Sequence, residues 1–487
     1  MIYPKLLRSR PPEQTHSDKP AMIRRIVAVS ALLTGIAGCA TVHPQAGFNH
    51  VGSLVKSRLG ETVIWNNGSK AAGQITQRTR ALLKEPLTVD AAVEIALLNN
   101  QSLQADYEKL GVSEADLVSA GLLSNPVLSF QMRFPARPYH AVNASIDQTF
   151  LDLLLLPARK HMAQANFRSA QAAVTNDVLT LAAKVRRQYY RYQAALELAA
   201  MQQHIVQVAA AGADAARHLR QAGNTSELAY DLPLDFYETS KLKAAAAHAA
   251  ALESHEKLGS LMGLWGQSLD YRIPATLPPM PLGDLTQADI ESLAVKNSLA
   301  LAAQRQKMLA LKQQLNMAHV GWLFPGASFG LAYVRDPDVK STLGPEFSIP
   351  LPIFNQGQPA VARAAAEYMA AAHRYKAMAV NLRAMVREDW IRLTAARQQA
   401  NFYAKVLLPL RHRIVTEQRS AFYGMYVSVF TWLAARHAEI RAQEHYVQSL
   451  RQYWVARQRL REDLGGRLPA IGPASSRPHT ASMVKGK

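Results

Sequence analysis

Four short stretches of the chain alternate apolar and polar residues with a period of two. Leu128, Phe130, Met132 and Phe134 are separated by Ser129, Gln131 and Arg133. Val142, Ala144, Ile146 and Phe150 alternate with Asn143, Ser145, Asp147 and Thr149. Farther along, Ala327, Phe329, Leu331 and Tyr333 share one parity, with Ser328 and Gly330 between them. Leu343, Phe347, Ile349, Leu351 and Ile353 then stand opposite Gly344, Glu346 and Ser348. This pattern predicts strands with one apolar face near 126–134, 141–150, 326–335 and 343–354. Runs of about nine to eleven residues are long enough for a tilted strand to cross a bilayer. Apolar outside and polar inside is the pattern of a membrane barrel around water. A soluble hairpin packed on one face has the same alternation, and the strands alone leave both readings open.

Most of the remainder reads as helix. Val178, Leu181, Val185, Tyr189, Tyr192 and Leu196 step by three or four, as do Phe402, Val406, Leu410 and Ile414. The segment from Ala158 to Arg220 would extend about 90 Å as one helix, a length that indicates coiled coil. Pro409 is expected to kink its helix, and Pro233 is placed to kink the return helix of the first half. Turns at Ala222-Gly223-Asn224-Thr225 and Tyr423-Gly424-Met425 reverse the chain, so that each long helix has a partner running back beside it. The abundant alanine favours helix and close helix contacts.

The plan is repeated. Leu87-Thr88 and Leu285-Thr286 each open a helical segment, Asn125–Phe130 has a counterpart in Phe324–Phe329, and Gly223 one in Gly424. The separations are 198, 199 and 201 residues, which indicates a duplicated unit of about 200 residues.

The amino-terminal region carries an export signature. Arg24 and Arg25 precede an apolar run from Ile26 to Ala37, too short to span a bilayer. The run ends in Ile36-Ala37-Gly38-Cys39, which resembles the bacterial lipobox. That resemblance implies lipidation at Cys39, the single cysteine, and Ala40 carries no Asp-type inner-membrane retention signal. Met22 is an alternative start. No other stretch has 18 uninterrupted apolar residues, so a membrane-spanning region would have to be β. The expected segments are a signal peptide with an upstream extension (1–38), a lipidated arm (39–85), two repeats (86–283 and 284–465) and a disordered tail (466–487).

The formal charge of +19 raises the question of nucleic acid or anionic lipid. The basic residues are dispersed along the helices among Glu, Gln and Ala, without a basic stripe bearing interleaved aromatics, and read as solvated helix faces. The sequence has no Gly-rich phosphate loop and no His-Glu-x-x-His, and its histidines lack ligand spacing. Tyr189, Tyr190 and Tyr192 read as packing residues. No enzyme activity, metal, cofactor or nucleic-acid partner is expected.

Taken in order, several motifs resemble those of the TolC family of outer-membrane efflux proteins. They are Leu122-Leu123-Ser124-Asn125-Pro126, Gln148-Thr149-Phe150-Leu151-Asp152, Arg220–Leu228, Leu261-Met262-Gly263-Leu264 and Ile349–Phe354. The resemblance covers residues 86–465 and implies a mainly helical fold with membrane β-structure. In that fold, long antiparallel coiled-coil helices form a periplasmic tunnel, and four strands per chain build a trimeric twelve-stranded barrel. Four strands alone cannot close a membrane barrel, because about eight is the smallest number known.

The resemblance further implies a homotrimer working with a periplasmic adaptor and an inner-membrane pump, as a passive outer-membrane duct for drugs or heavy-metal ions. Adaptor contacts would fall on Arg220, Ala222, Gly223, Asn224, Tyr423, Gly424 and Met425. Family members often carry Asp just after the second turn, whereas Val427–Leu433 here has no carboxylate. Phe430 is the candidate for narrowing the entrance instead. The alternatives are a duct for type I protein secretion and, in another class, a periplasmic coiled-coil lipoprotein that forms no pore.

Overall fold

The computed structural model describes residues 42, 45, 47–134, 141–281, 289–321, 326–335 and 341–468. The chain divides into two units, Met1–His43 and Pro44–Lys487. The first lies almost wholly outside the described residues, and so do the export signal, Cys39, both hairpin loops, Leu285-Thr286 and the carboxy-terminal tail beyond residue 468. The account below concerns the second unit.

Four helices lead in: α1 (Phe48–Leu59), α2 (Ser69–Leu82), α3 (Val89–Asn99) and α4 (Gln101–Ala120). Helix α3 is apolar nearly all round and buries Ala92, Val93, Ile95, Ala96, Leu97 and Leu98, as a helix enclosed by others must. Asn100 ends it and caps α4, its side chain accepting from the Leu103 N–H at 3.1 Å. Strands β1 (Val127–Arg133) and β2 (Ala141–Thr149) follow, then α5 (Phe150–Gln221) and α6 (Glu227–Leu261).

The second half repeats this order. Helices α7 (Ile290–Asn297) and α8 (Leu299–Gly321) meet at Ser298, which accepts from the Leu301 N–H at 3.2 Å as Asn100 does in the first half. Strands β3 (Ser328–Arg335) and β4 (Thr342–Ser348) come next, followed by α9 (Gln358–Phe402), α10 (Leu408–Tyr423) and α11 (Val429–Asp463). The internal repeat is thus a structural one: a broken helix, a hairpin, a long helix, a turn and a return helix, twice.

Helix α5 has 72 residues, so it is about 108 Å long. Its buried positions include Ala163, Ala165, Ala182, Ala183, Ala194, Ala209, Gly212, Ala213 and Ala216, small residues that let neighbouring helices approach closely. The two prolines expected to kink their helices, Pro233 and Pro409, do not break them. Helix α6 runs through Pro233. Ahead of Pro409, the chain between α9 and α10 makes a π-turn at Tyr403–Leu407 and stays helical. A proline lacks the N–H that would bond one turn back, and a wider turn there absorbs the mismatch without ending the helix.

The apolar core sits where α1, α3 and α4 pack on the middle of α5, which packs in turn on α11, with Val51, Val55, Leu97, Tyr107, Val178 and Leu460 fully enclosed. The tyrosines of α5 are packing residues there. The Tyr189 hydroxyl donates to the Leu87 carbonyl at 2.7 Å, and Tyr190 stacks on Trp454 with centroids 4.9 Å apart. Arg58 ties α1 to the second half, its guanidinium donating to the carbonyls of Asn297 at 2.7 Å and Gly465 at 3.1 Å.

The strands form one antiparallel sheet in the order β1-β2-β3-β4. Strand β4 stops at Ser348, short of the stretch expected to reach Phe354. Pro350 and Pro352 interrupt that stretch, and neither can donate to a ladder.

Candidate channel wall and helical tips

Strand register decides which side chains share a face. Leu128 pairs with Ile146, Ile146 with Leu331 and Leu331 with Pro345; Phe130, Ala144, Tyr333 and Leu343 form the next row. Met132 pairs with Val142, and Phe329 with Phe347. One face of the sheet is therefore apolar from β1 to β4, with only Gln148 and Arg335 as polar members. The other face carries Ser129, Gln131, Asn143, Ser145, Thr149, Ser328, Thr342 and Ser348 among small residues, together with Arg133, Asp147 and Glu346.

The burial is the reverse of that in a soluble hairpin. The apolar face is bare: Leu128 is 74 % exposed, Phe130 66 %, Leu343 71 % and Phe347 72 %. Most polar-face residues of β2 and β3 are half-buried. Among the described residues no element covers the exposed side chains of this face, and the outer edges of β1 and β4 have no strand partner. An apolar surface of this extent in water would be an association site; against hydrocarbon it is in its proper solvent. No helix among the described residues is long and apolar enough to cross a membrane.

Opposite the sheet, the two helix pairs reverse at tips built alike. At the first tip, the Gly223 N–H donates to the Arg220 carbonyl and the Asn224 N–H to the Leu219 carbonyl, both at 2.9 Å. Gly223 takes φ +72°, as a left-handed helix end requires. Ser226 caps α6 by accepting from the Ala229 N–H at 3.3 Å. The exposed Arg220 guanidinium lies 3.0 Å from Glu227 and over the Tyr230 ring.

At the second tip the Tyr426 N–H donates to the Ala421 carbonyl at 2.9 Å, and Ser428 caps α11 by accepting from the Thr431 N–H at 3.3 Å. Here the left-handed position is occupied by Met425, at φ +61°, while Gly424 has φ −80°. Gly424 therefore corresponds to Ala222, and Met425 to Gly223, one position away from the match read in the sequence. The glycine has a different reason: a Cβ on Gly424 would stand 2.8 Å from the Tyr426 ring.

Arg220, Ala222, Gly223, Asn224, Tyr423, Gly424 and Met425 are all exposed at these tips, with Tyr426 beside them. Tyr426 was missed in the sequence because nothing local marks the ring that lies over Gly424. Phe430, in the first turn of α11, is half-buried. It lines a cavity of about 290 Å³ between α5, α6 and α11, with Leu232, Phe236, Leu433 and His437. His437 stacks on Phe236 with centroids 3.8 Å apart, and burial holds its pKa below the ordinary histidine range. Among the described residues, no cluster of His, Cys, Asp or Glu is arranged to hold a metal ion.

A carboxyl pair lies at the other end of α11. Burial, followed by the neighbouring carboxylates Asp389 and Glu462, pushes Asp463 up to about 7. Asp389 is itself buried and receives a hydrogen bond from Arg392 at 3.2 Å.

No protein-family model matches the sequence. The chain is similar to the cobalt-zinc-cadmium resistance protein CzcC of Cupriavidus metallidurans, with 24 % identity over 377 residues, spanning 76 % of this chain and 88 % of the relative. It superposes on the CmeC outer membrane channel of Campylobacter jejuni with a TM-score of 0.67 and 14 % identity, covering 78 % of this chain and 86 % of that one. The outer membrane protein VceC of Vibrio cholerae gives a TM-score of 0.65 at 13 % identity, covering 78 % and 96 %. Superposition over that length shows the fold alone: the chain has the fold of the TolC-like outer-membrane channels.

Proposed function

We propose that three copies of this chain join β1 of one to β4 of the next in a twelve-stranded barrel, and that the trimer is the passive outer-membrane exit duct of a tripartite efflux system. The observation that carries this reading is the sheet whose apolar face is largely exposed and whose two edges have no strand partner among the described residues. Closing those edges satisfies the unpaired backbone groups that neither water nor a fourth element of the chain can reach in a bilayer. The helices α5, α6, α9, α10 and α11 then continue the wall into the periplasm.

In this reading, work on the solute falls to an inner-membrane pump, reached through a periplasmic adaptor. The exposed tips around Arg220–Asn224 and Tyr423–Met425 are the proposed adaptor contacts. The similarity to CzcC favours small toxic solutes, heavy-metal ions among them. Cys39 is the proposed lipid anchor. Phe430 and the residues around it are proposed to set the bore of the duct near the tips. If Phe430→Ala leaves single-channel conductance unchanged, that role is lost.

Planar-bilayer recording of the purified full chain tests the duct itself. Discrete conductance steps from a detergent-stable trimer are expected. A monomer that stays soluble without detergent after its acyl group is removed, and that gives no steps, would leave the coiled-coil scaffold as the better reading. Secretion of a protein substrate by a type I system through this duct, with no change in solute resistance on its deletion, would favour the secretion alternative.

A further inference from the structure

On the face of α5 turned away from the core, Arg187 and Arg191 stand one turn apart. The core side of the same stretch is taken by Val185, Tyr189 and Tyr192, all buried. Helix α11 runs antiparallel to α5 here, with Arg187 paired to Glu462 and, farther toward the tips, Gln202 donating to Glu444. That register sets Arg451 and Arg459, two turns apart on α11, against the two arginines of α5. Four guanidiniums from two helices thus share one face.

These side chains border an open groove of about 470 Å³ between α5, α6 and α11, lined by Arg191, Ala195, Ala247, Ala250, Arg451 and Gln452. The alanines keep it open, because nothing longer than a methyl group enters from those positions. A space of this size is that of a small-molecule site. Its charge is one-sided. Glu462 serves Arg187, whereas Arg191, Arg451 and Arg459 have no ion pair among the described residues. Glu444 is two turns from Arg451, about 10 Å along the helix axis, and has Lys243, Arg441 and His445 beside it. Burial, and then the guanidiniums of Arg187, Arg459 and Arg451, hold Arg191 below the ordinary arginine value. Like charges gathered and partly desolvated are unfavourable until a group of opposite charge lies between them.

We infer that this groove is a binding site for a small multivalent oxyanion, one bearing phosphoryl or carboxylate groups, held between the guanidiniums of Arg191 and Arg451. Each guanidinium offers N–H donors in a fixed fork that matches two oxygens of a phosphate or carboxylate. Gln452, exposed at the rim, adds an amide donor. A halide ion has no separate oxygens with which to bridge two guanidiniums, so charge alone does not make a good ligand. The site is formed within one chain, and it depends neither on barrel closure nor on what the duct conducts.

The test is isothermal titration calorimetry of the detergent-purified full chain with pyrophosphate and, separately, with citrate, each against NaCl of equal ionic strength. Saturable binding of at least one oxyanion, near one per chain and without a counterpart in NaCl, is expected. Which of the two binds tells phosphoryl from carboxylate recognition. Arg191→Gln with Arg451→Gln should weaken that binding by about tenfold or more. Without added oxyanion, Arg451→Gln should melt no lower than the wild type, because it relieves repulsion; this guards against reading a folding defect as lost binding. Heats no different from NaCl, or binding that survives the double variant, overturn the site. So does a ligand-free Arg451→Gln that melts well below the wild type, since the guanidinium would then be holding the fold rather than a ligand. None of these outcomes bears on conductance, so the duct stands or falls separately.

Discussion

Leu433 of α11 packs directly on Gly212 of α5, so close that a Cβ on the glycine would stand 3.0 Å from the leucine Cδ1. This contact separates two cavities, one of about 290 Å³ on the side of α6 and one of about 580 Å³ on the side of α10. Close contact flanked by open space means that Leu433 can move aside. Gly212→Ala is therefore expected to be neutral or stabilising by about 0.5–1 kcal/mol, because alanine gains helix propensity over glycine. Gly212→Leu cannot be absorbed by a rotamer change alone and should lower the melting temperature. Thermal unfolding of both variants checks the prediction; a destabilised Gly212→Ala would contradict it.

The second tip carries backbone strain that the first avoids. Met425 holds φ +61° with its side chain 93 % exposed, so it gains little packing in return. Replacement by glycine, which takes this conformation without a Cβ clash, should stabilise the turn by about 1 kcal/mol. Slower amide hydrogen exchange at Tyr426 in Met425→Gly is the expected readout, since the Tyr426 N–H makes the bond that closes the turn. Gly424→Ala should have the opposite effect by displacing the Tyr426 ring.

The two faces of the sheet should respond oppositely to charge. Phe130→Arg places a cation on the exposed apolar face, at a cost of about 2–4 kcal/mol if that site lies at mid-bilayer. Loss of the proposed detergent-stable trimer on native gel electrophoresis is expected. Ser129→Asp, on the neighbouring polar position, should assemble normally. Equal tolerance of both substitutions would mean that the apolar face does not meet lipid.

The carboxyl of Asp463 gives a pH dependence of definite sign. Its folded-state value, near 7, lies above the ordinary aspartate value of 3.8, so the folded chain holds a proton that the unfolded chain has released between those limits. Stability from this group is complete below about pH 4 and declines as pH rises toward and through 7. Asp463→Asn removes the decline. The variant should melt higher than the wild type at pH 8, by a few degrees, and together with it near pH 4. A difference that grows toward acid pH would contradict the assignment.

Much of this protein was legible along the chain because its signals are local and repeated. Alternation in the four strands required one apolar face whatever the partners, and the steps of three and four along 178–196 required a long helix with a buried stripe. The turn residues around Gly223 and the capping Ser226 specify a helix reversal from a handful of adjacent positions. Duplication strengthened each reading, because the same plan had to serve twice.

Tertiary structure decided what depends on alignment between segments distant in sequence. Whether the apolar strand face is covered or bare is a property of everything else in the fold, and here most of it is left exposed. The row that joins Leu128, Ile146, Leu331 and Pro345 follows from strand register, which no single strand contains. Met425 rather than Gly424 takes the left-handed turn, with the Tyr426 ring in the space a Cβ on Gly424 would need, and Pro409 sits behind a π-turn rather than at a break. Asp389 and Asp463 meet only when α9 and α11 pack. Period and propensity act over a few residues and so can be read in order; register, exposure and shifted acidity arise from neighbours that the chain brings together only on folding.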